Sequence, residues 1–155
     1  GRRPVLVDTT PCLYRMKKTL DPRLALLDPV EFTLTHLMDR LEVAPLDATI
    51  AYHHTCSSVK MGLEARAMAL AKACAREVVV PDLVGCCGFA GDRGFNYPEL
   101  NASALQHLRA GVVGRCSAGY STSRTCEIGL SAHSGIHYKS ILYLVDRCTT
   151  PKKAM

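Results

Sequence analysis

Cys86 and Cys87 stand side by side in "VGCCGFAGDRG" (84–94), a stretch that also places glycine at positions 85, 88, 91 and 94. Adjacent thiols can pack as small apolar groups, cycle as a strained redox pair, or ligate one metal centre. A relaxed disulfide between them is disfavoured by geometry. Neighbouring Cα atoms across a trans peptide lie about 3.8 Å apart, whereas a disulfide needs about 4.4–6.8 Å.

Two more cysteines narrow the choice. Twenty-nine residues separate Cys56 from the pair, and 38 separate the pair from Cys126. Each gap holds about one helix and one strand, so the chain can return to the same sheet edge each time. Four thiolates meeting at one point repel unless a cation neutralises them, which leaves Zn²⁺ or an iron–sulfur cluster. Mononuclear zinc prefers C-x₂₋₄-C knuckles around one atom, and no C-x-x-C occurs in this chain. A cluster offers several iron corners, so adjacent side chains can reach different ones. Gly85, Gly88 and Gly91 would then let the backbone approach and aim N–H groups at sulfur. The same glycines lack the Gly-Lys-Ser/Thr of a phosphate loop and the spacing of a dinucleotide loop.

The elements that must position these residues alternate. "PVLVD" (4–8), "LALLD" (24–28), "ATIAYHH" (48–54), "EVVVP" (77–81) and "AGYST" (118–122) read as strands. Helical periodicity covers 29–42, 61–75, 98–110 and 140–148. The first of these helices has Asp28 as N-cap, Pro29 at the first helical position and Glu31 closing a capping box. Strand–helix alternation predicts an α/β fold: a mainly parallel sheet of about five strands flanked by helices in Rossmann-like layers. Cys12, Cys56, Cys86, Cys87 and Cys126 all fall just past strand ends, where such sheets gather function. Cys74 and Cys148 lie on apolar helix stripes and read as core. Cys116, in "GRCSAG", reads as an ordinary loop thiol. "VLVDTTPC" (5–12) echoes both "IAYHHTC" (50–56) and "GYSTSRTC" (119–126).

Composition bounds the rest. Apolar residues at 48% and charged residues at 21% describe a globular chain with a sizeable core. A formal charge of +5, with no long run of like charges and no aromatic–basic stripe, argues against nucleic-acid binding. No apolar run is long enough to span a bilayer. Eight cysteines in 155 residues are too sparse for a disulfide-stapled miniprotein. Clustered thiols therefore point to a reducing compartment, the cytoplasm or the inner face of its membrane.

"HHTCSS", "GCCGFAG" and "STSRTCEIG" together resemble the cysteine-rich CCG-domain proteins, a family whose pattern is Cys, a long gap, Cys-Cys-Gly, a similar gap, then Cys-x-x-Cys. "CCGFAGDRGFNYPELNASAL" and "SRTCEIGLSAHSGI" are most similar to the C-terminal iron–sulfur region of FAD-linked oxidases of the D-lactate or D-2-hydroxyglutarate dehydrogenase type. The iron–sulfur component of glycolate oxidase and the cysteine-rich component of heterodisulfide reductase are related members of the family. The resemblance implies that Cys56, Cys86, Cys87 and Cys126 hold a [4Fe–4S] cluster. That cluster would pass electrons from FAD, bound elsewhere in a parent protein, to a quinone or electron carrier. Ser123 stands where the family has the first Cys of Cys-x-x-Cys. A fifth thiolate supports the non-cubane clusters of some relatives, so its loss favours the ordinary cube.

The resemblance also implies a domain division. Residues 1–22 would be the tail of a preceding repeat, with Thr9 at the equivalent lost Cys and Cys12 a ligand of that repeat. Residues 23–150 would be the cysteine-rich domain and 151–155 a flexible tail. The expected partners are the rest of the parent polypeptide, namely a flavin domain and a first repeat. The alternatives are a structural zinc or thiol module that docks domains, and a non-cubane site that reduces disulfides. His53 and His54 are either hydrogen-bond donors toward the centre or strand-end histidines satisfied locally. Arg93 and Arg124 either offset the negative charge of a cluster or sit solvated on the surface.

Overall fold

The computed structural model describes residues 3–82 and 84–153, so Ala154 and Met155 of the expected tail lie outside it. At its centre is a four-stranded parallel sheet in the order β5-β4-β6-β7. The strands are β4 (Leu46–Tyr52), β5 (Ala75–Val79), β6 (Ala118–Ser121) and β7 (Tyr138–Ser140). Ile50 of β4 lies opposite Val78 of β5 on one side and Ala118 of β6 on the other. This is the expected α/β architecture with helices on both faces.

Strand alternation divides the core in two. Ile50 and Tyr52 face one layer, with Leu70, Ala71 and Cys74 of α4 (Glu64–Cys74) and Ile141, Leu144 and Cys148 of α9 (Ile141–Cys148). Ala51 faces the other, with Leu108 and Val112 of α7 (Leu108–Val112), Leu130 of α8 (Arg124–Ser134), and Cys87, Cys116 and Cys126. Cys74 and Cys148 are core residues, as their helix stripes predict. Cys116 is core as well, not a loop thiol: it is 7% exposed and fills the second layer just before β6.

The sheet departs from five strands because the first two expected strands leave it. β1 (Val5–Leu6) and β2 (Leu26–Leu27) form their own parallel pair, with Val5 opposite Leu26. An antiparallel pair not anticipated, β3 (Leu41–Val43) and β8 (Thr149–Pro151), closes the far end. Pro151 and Lys152, expected in a free tail, are held there: Lys152 N–H donates to the Arg40 carbonyl at 2.8 Å.

The helix expected over 29–42 begins as predicted and then changes character. Asp28 Oδ1 accepts from the Glu31 N–H at 2.6 Å at the start of α2 (Pro29–Phe32). The reciprocal half of a capping box is not made. The Glu31 carboxylate turns instead to Arg66 (2.5 Å) and Lys17 (3.4 Å). Past Phe32 the chain passes through a π turn (Thr33–Leu37) and a 3₁₀ turn (Met38–Arg40), because Leu41 is claimed by pairing with Pro151. The stretch 61–75 is interrupted by Gly62 at φ +68°, which separates α3 (Cys56–Lys60) from α4.

The sequence echo is also a structural one. β1, α1 (Thr10–Thr19), β2 and α2 repeat the order of β6, α8, β7 and α9. In both units the helix follows an extended residue, Thr9 (φ −155°) or Ser123 (φ −153°), and the cysteine sits in its first turn. In both, the second strand runs directly into a capping side chain, Asp28 or Ser140.

Candidate metal centre

The chain leaves β4 to build β5 on one side, then crosses back to lay β6 on the other. Connections therefore diverge at the carboxyl ends of β4 and β6, opening the crevice where parallel sheets place their chemistry. Cys56 follows β4, the Cys86–Cys87 loop follows β5, and Cys126 follows β6.

Each thiol is held by local structure. Thr55 caps α3, its Oγ1 accepting from Ser58 N–H at 3.1 Å, which fixes exposed Cys56 as the first helical residue. Ser123 precedes α8 and leaves Cys126 in the first turn, 7% exposed. Cys87 is 4% exposed and Cys86 is open to solvent. Gly88, at φ +71°, turns the loop so that its N–H donates to Cys86 Sγ at 3.4 Å. Gly88 is also pressed on α6 (Pro98–Ala104): a Cβ there would lie 2.5 Å from the Leu100 carbonyl oxygen and 2.8 Å from Ala104 Cβ. Gly85 and Gly91 meet nothing within 4 Å, so the three glycines are not equivalent.

The sulfurs interact. Cys87 Sγ and Cys126 Sγ are 3.0 Å apart. The Cys126 thiol, with help from the Phe89 and Cys87 amides, draws the Cys87 thiol down to about 7 against the effect of burial. Cys126 is pushed upward, first by the Cys87 thiolate and then by burial. Cys86 is raised, mainly by burial and also by Cys87 and Cys56. Cys56 also adds to the upward push on Cys126. Among the described residues the direct sulfur–sulfur contact within the predicted set is that of Cys87 with Cys126. Among the described residues no sulfur contact joins Cys12 to them.

No group of three or more His, Cys, Asp or Glu among the described residues is arranged to hold a single ion. Two sulfurs bound to one tetrahedral zinc at about 2.3 Å would be about 3.8 Å apart, wider than the 3.0 Å found. Loading any metal centre requires Cys87 and Cys126 to lose their proton and spread. The adjacency of Cys86 and Cys87 suits a centre with several metal corners better than one tetrahedral ion.

Behind the thiols lies a buried hydroxyl network. Thr10 Oγ1 is 2.7 Å from Thr55 Oγ1 and 3.3 Å from Thr122 Oγ1, and Thr55 Oγ1 is 3.1 Å from Ser57 Oγ. Thr10, Thr55 and Thr122 each shortly precede a cysteine, so the three-fold sequence echo carried the signal for this network. Asn101, 4% exposed in α6, donates through Nδ2 to the Cys87 carbonyl. Nothing in "PELNASAL" marks it.

His53 is only partly satisfied: Ser121 Oγ donates to its carbonyl at 3.1 Å and lies 3.4 Å from its Nδ1, while its buried Nε2 has no hydrogen-bond partner among the described residues. Burial, then neighbouring His54, lowers its pKa to about 4, so it is neutral. Burial also lowers His54, whose ring meets Tyr52 edge-on at 4.9 Å. Arg124 is exposed and engaged by buried Glu127 at 3.2 Å, and Arg93 is exposed at the start of α5 (Arg93–Asn96). No family model matches the chain, and no curated protein matches it.

Proposed function

We propose that this chain is an electron-transfer domain whose Cys56, Cys86, Cys87 and Cys126 hold a [4Fe–4S] cluster. The observation that supports it is the placement of four cysteines past three neighbouring strand ends, with Cys87 and Cys126 at 3.0 Å. When bound, the cluster would supply one-electron relay between a flavin and an acceptor. The chain's own contribution is to bring the thiols to one edge of the sheet, lower Cys87 toward the thiolate, and aim the Gly88 N–H at Cys86 sulfur. Backbone donors to cluster sulfur raise a reduction potential.

The resemblance drawn from "GCCGFAG" and "STSRTCEIG" extends the reading to a parent enzyme. There, FAD in another part of the protein oxidises a D-2-hydroxy acid and a quinone or carrier receives the electrons. No helix among the described residues is long and apolar enough to cross a membrane. A docking zinc is the second reading, and the adjacency of Cys86 and Cys87 weighs against it. Anaerobic reconstitution followed by EPR and iron and sulfide analysis decides between them. About four irons and four sulfides per chain are expected for a cubane cluster. A colourless protein that binds one zinc and takes up no iron would overturn the electron-transfer reading.

A further inference from the structure

The separation of Cys87 from Cys126 is set by two different elements, a loop after β5 and the first turn of α8. Something must hold these to each other, and the only short link between their sulfurs is the contact itself. The third body in the joint is α6. On one side it meets the loop twice, with Gly88 seated on Leu100 and Ala104 and the Asn101 Nδ2 donating to the Cys87 carbonyl. On the other side Asn101 meets α8 at Gly129. A Cβ at Gly129 would overlap the Asn101 Nδ2 and lie 2.9 Å from its Oδ1. Gly129 is three residues beyond Cys126, one helical turn along the same face. One buried amide therefore touches both cysteine-bearing elements, and each meets it with a carbonyl or a glycine.

We propose that Asn101 is a positioning residue that clamps the Cys86–Cys87 loop to the Cys126 helix and sets the Cys87–Cys126 distance. The proposal rests on the reading of these cysteines as ligands of one centre. Its chemistry is specific. Aspartate would keep the size but face the Cys87 carbonyl with oxygen instead of an N–H donor. Alanine would leave that buried carbonyl without its partner. A side chain at Gly129 would push the amide out from the other side.

The test is disulfide trapping in the iron-free full chain, in a Cys86→Ser background so that the bridge is assigned to Cys87 and Cys126 by peptide mass mapping. Diamide removes two electrons and two protons from the thiol pair as the sulfur–sulfur bond forms, and is itself reduced to the hydrazine. Asn101→Asp and Gly129→Ala should each slow the appearance of the bridge at least tenfold. The double variant should be no slower than the slower single, because both break one contact. Protection of buried Cys74 and Cys148 from alkylation and the near-UV spectrum report that the fold persists. If Asn101→Ala or Gly129→Ala unfolds the chain, Asn101→Asp, which preserves volume, still decides. A bridge that forms at or above the parental rate in folded Asn101→Asp overturns the clamp. Because no iron is used, failure here leaves the cluster reading standing, and failed reconstitution leaves the clamp standing.

Discussion

Alanine at the three loop glycines separates a cradle of equivalent backbone donors from a loop seated on α6. At Gly88 two costs combine. Its φ of +71° is left-handed, which costs a side chain about 1–2 kcal/mol. The new methyl would also sit 2.5 Å from a helix carbonyl oxygen and 2.8 Å from Ala104 Cβ, and overpacking of this kind costs about 1–3 kcal/mol. Alanine regains about 0.4–1 kcal/mol by restricting the unfolded chain, so Gly88→Ala should destabilise by about 3 kcal/mol. Gly91 shares the left-handed geometry (φ +77°) but has open space, so Gly91→Ala should cost about 1 kcal/mol. Gly85 has neither strain nor contact, and Gly85→Ala should be neutral or stabilising by about 0.4–1 kcal/mol. Urea unfolding followed by circular dichroism, under anaerobic reducing conditions and with metal excluded, measures all three against the parent. If Gly88→Ala and Gly91→Ala differed by less than about 0.5 kcal/mol, the loop would not rest on α6 and the reasoning would fail.

Two further outcomes follow from burial. His53 titrates near 4 in the folded chain and near 6.5 when unfolded, so the unfolded state takes up the proton first as pH falls. Its contribution is complete above pH 6.5 and is lost toward pH 4, amounting to about 3 kcal/mol relative to His53→Gln, in which carboxylate and His54 effects cancel. Parallel stability profiles for the two chains between pH 7 and 4 would show that His53 is not buried neutral. In a native thiol assay Cys12 and Cys56 should react rapidly and Cys86, whose thiol is raised, more slowly, while Cys74, Cys116 and Cys148 should wait for unfolding. Fast labelling of Cys116 would contradict its place in the second core layer.

The location of the candidate site was legible because strand ends are punctuated. Apolar runs 48–54, 77–81 and 118–122 each stop just before a cysteine-bearing turn, and parallel topology does the rest. Cys74 and Cys148 were legible from helix stripes alone. What stayed hidden depends on partners distant in sequence. β7 is only three residues, and "YKS" becomes a strand because Gly119 leaves room for the Tyr138 ring. β3 and β8 exist by pairing with each other across the chain. The π and 3₁₀ turns after Phe32 follow from that pairing and override a good helical pattern. Cys116 has no stripe of its own, so its burial comes entirely from the helices laid over it. The difference between Gly88 and its neighbours was invisible for the same reason, since all three are small residues in one loop and only one lies under α6.

The hydroxyl network has a bearing on how the chain folds. The Thr10 N–H and Oγ1 both reach the Thr122 carbonyl, at 3.2 Å each, across 112 residues of sequence. The first helix is thereby tied to the strand end that delivers Cys126, and through Thr55 to the turn that delivers Cys56. Such distant contacts form late and slowly, because loop closure must precede them. They also merge segments into one cooperative unit, so fraying of α1 would not remain a local event at the chain's edge. Loosening residues 10–19 would be felt at the turns that carry Cys56 and Cys126 before the sheet itself began to open.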